Sequence, residues 1–133
     1  MARKKILVVD DEAHITHVVS LKLGNAGYDI ITANDGEEAL ELALQDPPDL
    51  VITDLQMPYM SGVELCARLR EDPKTTQIPV IMLTARGYAL AQEDLDRTNI
   101  KSVMSKPFSP RQVLEMANDL IGHDEQTIVE EAA

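Results

Sequence analysis

Tryptophan is absent from this 133-residue chain, and three tyrosines and one phenylalanine are its only aromatic residues. No stacking platform for single-stranded nucleic acid can be assembled from so few. Basic residues are scarce as well: 12 Lys and Arg stand against 23 Asp and Glu, for a formal net charge of −11. A surface of that sign repels a phosphate backbone, so no nucleic-acid partner is expected. Four of the acids and none of the bases lie in residues 123–133, which leaves −7 on the body of the chain. The single cysteine, Cys66, excludes an internal disulfide framework and a cysteine-based zinc site. Its helical apolar setting marks it as a buried, inert thiol. No apolar run is long enough to span a membrane, and the four apolar residues after MARKK are too few for a signal-peptide core. A cytoplasmic protein with no membrane partner is the expectation.

The chain has the length of one domain, with 44% hydrophobic residues to form a core. Short apolar runs alternate with segments of helical spacing. Strands are expected at Lys5–Val9, Tyr28–Ala33, Leu50–Thr53, Val80–Leu83 and Ser102–Met104. The intervening helices start at Ala13, after Asn34-Asp35-Gly36, at the Ser61 cap, over Ala89–Thr98, and at the Ser109-Pro110 pair, the last running to Ile121. Five strands alternating with five helices predict an α/β fold: a single doubly wound parallel sheet. The domain body is assigned to residues 1–122, and the acidic tail 123–133 is expected to be disordered.

Chemistry gathers where strands run into helices, the end at which open α/β sheets bind ligands. The first strand delivers Asp10, Asp11 and Glu12, the third Asp54, the fourth Thr84, and the fifth Lys106. Each has a bland reading alone: an acidic helix start, a turn residue, a cap, a loop lysine. Together they predict clustered carboxylates that repel one another unless a cation neutralises them. A hard divalent ion such as Mg²⁺ suits oxygen ligands, and a lysine with a hydroxyl suits a phosphate. Phosphoryl handling follows, with a carboxylate able to serve as nucleophile. His14 and His17 are read as a solvated helix face, and no P-loop, dinucleotide fingerprint or Ser/His/Asp arrangement is present.

Four motifs, VVDDE at 8–12, TDLQMPYMSG at 53–62, LTA at 83–85 and SKPF at 105–108, make the sequence resemble a response-regulator receiver domain of the stand-alone, chemotaxis type used in two-component signalling. The resemblance covers about residues 4–121. It implies a flavodoxin-like strand order 2-1-3-4-5 and a phosphoprotein that accepts a phosphoryl group on Asp54 from a sensor histidine kinase, a phosphotransfer protein or a small phosphodonor. Asp11, Asp54 and the backbone carbonyl of Gln56 would bind Mg²⁺, with Asp10 acting mainly through water. Lys106 would pair with Asp54 or its phosphate, and Thr84 would bond the phosphate. Gln56 and Arg86 would flank the phosphate and tune its lifetime. Receivers usually carry an aromatic switch residue three positions before the lysine; here that position is Val103. Such a domain is no enzyme beyond its own phosphorylation and dephosphorylation. With eleven residues after Gly122, output is expected through contacts with a downstream protein and not through a DNA-binding domain. Two other readings are a Mg²⁺-dependent phosphatase or phosphotransferase with an aspartyl nucleophile, which the short loops disfavour, and a non-phosphorylated interaction scaffold.

Overall fold

The computed structural model describes residues 3–85 and 90–122; Arg86 and the acidic tail lie outside the described residues. The elements in chain order are β1 (Lys5–Val9), α1 (Ala13–Asn25), β2 (Asp29–Ala33), α2 (Gly36–Gln45), β3 (Leu50–Asp54), α3 (Gly62–Glu71), β4 (Val80–Thr84), α4 (Gln92–Asp96), β5 (Ile100–Ser105) and α5 (Pro110–Ile121). All the strands are parallel, in the order β2-β1-β3-β4-β5. Central strands of such a sheet are buried on both faces and so read as unbroken apolar runs. Every residue of β3 and β4 is buried.

Alternate residues of each strand feed two cores. Ile6, Val8, Ile52, Ile81 and Leu83 pack with Val19 and Leu23 of α1 and with Val113 and Ala117 of α5. On the opposite face, Leu7, Val9, Val51, Val80 and Met82 meet Ala39 and Ala43 of α2 and Leu65, Cys66 and Leu69 of α3. Ser61 and Ser109 cap their helices as the sequence predicts, and Asp35 caps α2, each accepting a hydrogen bond from a backbone N–H in the first turn. Among the described residues no helix is long and apolar enough to cross a membrane.

β2, β3 and β4 differ from their expected extents by one residue at one end, and two elements differ by more. β5 is six residues long, not three. It is an edge strand whose residues Ile100, Ser102 and Met104 turn inward, while Lys101, Val103 and Ser105 face solvent. That alternation of polar and apolar residues conceals a strand that forms no continuous apolar run. α4 is only five residues, with no buried side chain; a local ion pair between Arg97 and Asp94 and a Gln92–Asp96 hydrogen bond secure it. In α1, Val18 lies on the solvent side of the helix instead of in the core, as does Leu21.

Candidate metal and phosphoryl site

Register brings the chemical groups to one level. Val9 of β1 pairs with Thr53 of β3, so the next residues, Asp10 and Asp54, end neighbouring strands side by side. Asp54 pairs in turn with Leu83 of β4, and Thr84 follows. Lys106 leaves β5 immediately after Ser105, the partner of Thr84, and its N–H donates to the Thr84 carbonyl at 2.8 Å. The Lys106–Pro107 peptide is cis.

Within this set, one carboxylate oxygen each from Asp10, Asp11 and Asp54 lies within 4.8 Å of the others. Asp10 is wholly buried and Asp54 nearly so, while Asp11 is exposed. The Lys106 ammonium reaches Asp54 at 3.0 Å, Asp10 at 3.4 Å and Glu12 at 3.6 Å. Three carboxylates thus surround one lysine and Asp11 joins two of them, so that with all four ionised a net negative charge of three is left over. A hard divalent cation with oxygen preference fits that donor set.

The electrostatics follow the burial. Desolvation pushes the Asp10 carboxyl up to about 6; the N–H of Glu12, donating to its Oδ1 at 2.9 Å, opposes the shift, and the neighbouring Asp54 charge adds to it. Asp54 is also raised, chiefly by burial, against the pull of Lys106 and with repulsion from Asp11. Burial alone would lower Lys106, but its hydrogen bond to Asp54 and the charges of Asp10 and Asp54 outweigh it and hold the ammonium above its ordinary range.

Thr84 is fully buried, and its hydroxyl donates only a long 3.5 Å bond to the Met104 carbonyl. Gln56 is exposed and lines an open groove with Met57, Glu64 and Arg97. Val103, on the outer face of β5, is 40% exposed.

One contributor was named from sequence without its partner, and another was not singled out. Glu12 is the third partner of Lys106, at 3.6 Å across 94 residues of chain. Gly62, the first residue of α3, runs so close beneath the site that a Cβ there would collide with the Asp54 carbonyl oxygen, with Met82 Sδ 2.9 Å away. Its only sequence signal is a glycine directly after a serine cap. The connecting loop turns at Tyr59, which has a left-handed φ of 70° and is 97% exposed.

An acidic pocket at the carboxyl ends of a parallel sheet ordered 2-1-3-4-5 defines a flavodoxin-like, CheY-like α/β protein. More narrowly, the chain belongs to the response regulator receiver domain family of two-component signalling, whose model matches residues 6–118. It is 43% identical over 115 residues to the alkaline phosphatase synthesis transcriptional regulatory protein PhoP of Bacillus subtilis, a match covering 83% of this chain and 45% of that protein. The phosphate regulon transcriptional regulatory protein PhoB of Pseudomonas aeruginosa is 38% identical over 114 residues, covering 86% of the chain and 50% of that protein. The chain therefore spans about half the length of these curated relatives. Among solved structures, the chemotaxis protein CheY4 of Vibrio cholerae superposes with a TM-score of 0.82 at 32% identity, covering 90% of this chain and 99% of that one. Relatives named as transcriptional regulators and as chemotaxis proteins share this domain, so the match defines a receiver domain and not a chemotaxis subtype.

Proposed function

We propose that this receiver domain is a phosphorylation switch whose acceptor is Asp54. The observation that carries the reading is the 3.0 Å ion pair between Lys106 and a nearly buried Asp54, set among two further convergent carboxylates. One Asp54 carboxylate oxygen attacks the phosphorus of a phosphohistidine on a histidine kinase or phosphotransfer protein. The P–O bond forms as the P–N bond breaks, the imidazole leaves and takes up a proton, and Asp54 becomes an acyl phosphate. Asp10, Asp11, Asp54 and the backbone carbonyl of Gln56 would hold Mg²⁺, which when bound neutralises phosphoryl charge. Lys106 pairs first with the carboxylate and then with the phosphate it carries. Thr84, whose existing hydrogen bond is weak, can exchange it for a phosphate oxygen. By the family pattern Gln56 and Arg86 would tune the phosphate's lifetime, and a small Val103 leaves the outer face of β5 without an aromatic switch. The domain then acts through protein contacts, as a switch and not as an enzyme on an external substrate.

The test is incubation with acetyl phosphate and Mg²⁺, followed by intact mass and amide spectra. A single phosphoryl adduct, dependent on Mg²⁺ and accompanied by shifts in the β4–β5 region, is the expected result; absence of any adduct overturns the reading. Lys106→Ala is expected to retain slow phosphorylation, because the nucleophile survives, yet to lose most of the phosphorylation-dependent amide shifts.

Proton linkage supplies a further expectation. The folded-state value of Asp10, about 6, lies above its ordinary 3.8, so the fold favours the protonated form. Its stabilising contribution is present below pH 4 and is lost as pH rises through 6, on the order of 3 kcal/mol by linkage. A cation needs the deprotonated carboxylate. Apparent Mg²⁺ affinity should rise about tenfold per pH unit below 6 and level off above it. Thermal midpoints with and without Mg²⁺ should accordingly diverge as pH is raised from 5 to 7.5.

A further inference from the structure

We infer that Glu12 is a positioning residue for Lys106: it is the counter-charge that keeps the ammonium at the mouth of the site when a cation occupies the carboxylates beneath. The inference rests on the reading of Asp10, Asp11 and Asp54 as a Mg²⁺ site.

Two observations carry it. Of the three carboxylates around the Lys106 ammonium, Asp54 at 3.0 Å and Asp10 at 3.4 Å belong to the convergent trio, whereas Glu12 at 3.6 Å does not. A divalent ion on the trio competes with the lysine for both inner partners and repels it at close range. Glu12 alone remains available. The second observation is that the Glu12 side chain makes no other polar contact among the described residues. It is the N-cap residue of α1, yet its side chain makes no capping bond, while Asp35, Ser61 and Ser109 cap α2, α3 and α5. Glutamate is poor at that position, where Asp, Asn, Ser or Thr would accept the free N–H groups. Its backbone N–H is spent on Asp10 Oδ1, and its longer side chain, 62% exposed, extends to a lysine only 23% exposed. Helix α1 forgoes a cap, and the lysine gains a partner outside the metal's reach.

Without Glu12 the ammonium would settle wholly on Asp54 and Asp10 and oppose the cation there. The charge of an exposed glutamate acting directly on the ion is screened by solvent, so its effect should pass mainly through Lys106.

The experiment is a Mg²⁺ titration followed by amide chemical shifts on the full chain, for wild type, Glu12→Gln and Glu12→Asp, each repeated in a Lys106→Met background. Glu12→Gln is expected to weaken Mg²⁺ binding about fivefold with the lysine present and less than about twofold without it, the difference being the coupling. Glu12→Asp keeps the charge but shortens the reach and can cap α1. It should therefore weaken binding nearly as much while raising the thermal midpoint, an opposition that damage to the fold would not produce. Equal losses in both backgrounds, or wild-type affinity in Glu12→Asp, would show Glu12 to be one more negative charge and overturn the inference. So would an unaltered Glu12→Gln. A wild-type protein without saturable Mg²⁺ shifts overturns the parent reading of the site instead, and the inference falls with it.

Discussion

Asp54→Asn should take up no phosphoryl group from acetyl phosphate under conditions where the wild type is modified, while folding at least as stably. An amide oxygen is a far weaker nucleophile than a carboxylate and cannot leave a stable acyl phosphate, so the loss is complete rather than partial. The stability half of the expectation comes from the surroundings. Asp54 is nearly buried, burial has raised its pKa, and Asp10 and Asp11 crowd it with like charge. Asparagine keeps the shape and removes that repulsion, at the loss of one partner of Lys106, which retains Asp10 and Glu12. A denaturation midpoint equal to or above that of the wild type, together with an unmodified intact mass, is the expected pair. Residual phosphorylation of the variant would place the acceptor elsewhere.

Gly62→Ala should be the most damaging single-methyl change near the site. A Cβ at Gly62 meets the carbonyl oxygen of Asp54 and approaches the Leu55 Cα at 3.1 Å, and both are backbone atoms that cannot rotate away. The Gly62 N–H also donates to the Leu55 carbonyl at 2.8 Å, which pins α3 against the end of β3. Relief requires the helix start to move away from the strand, disturbing the placement of Asp54. A destabilisation of roughly 2–4 kcal/mol is expected, with slower phosphorylation even in the fraction that folds. Gly36 is the informative contrast. There the added Cβ would press on the Cβ and Sδ of Met60, both at 2.9 Å; the thioether end can swing aside, and the Cβ can yield with the loop that carries it, a softer partner than the end of β3. Chemical denaturation of both variants would show the ordering, and a Gly62→Ala protein as stable as Gly36→Ala would refute the backbone-contact argument.

The central sheet could be read from sequence because β1, β3 and β4 are buried on both faces and leave continuous apolar runs bounded by Asp, Pro and Gly. Their ends could be read for the same reason: Asp10, Asp54 and Thr84 are the first polar residues after each run or its last residue, and register then sets them level. The edge was harder. β5 is covered on one side only, so polar residues interrupt its apolar ones, and α4 has a single apolar residue, Leu95, partly buried against the core, among polar ones that bond within the helix. The pairing of Glu12 with Lys106 and the part played by Gly62 were hidden by different causes. The first depends on a contact across 94 residues of chain between Glu12 and Lys106. The second acts through the side chain it does not have, which no residue pattern displays.

The lone thiol offers a use unrelated to signalling. Cys66 sits on α3 in the core packed with Val51 of β3, is 2% exposed, and has its ionisation pushed up to about 12 by burial. The thiolate is the reactive form, so in the folded protein this sulfur is shielded twice, from contact and from ionisation. Alkylation must wait until α3 lifts from the sheet. The rate of thiol capture therefore counts openings of the domain, giving the protein a built-in clock for its own unfolding without any introduced label.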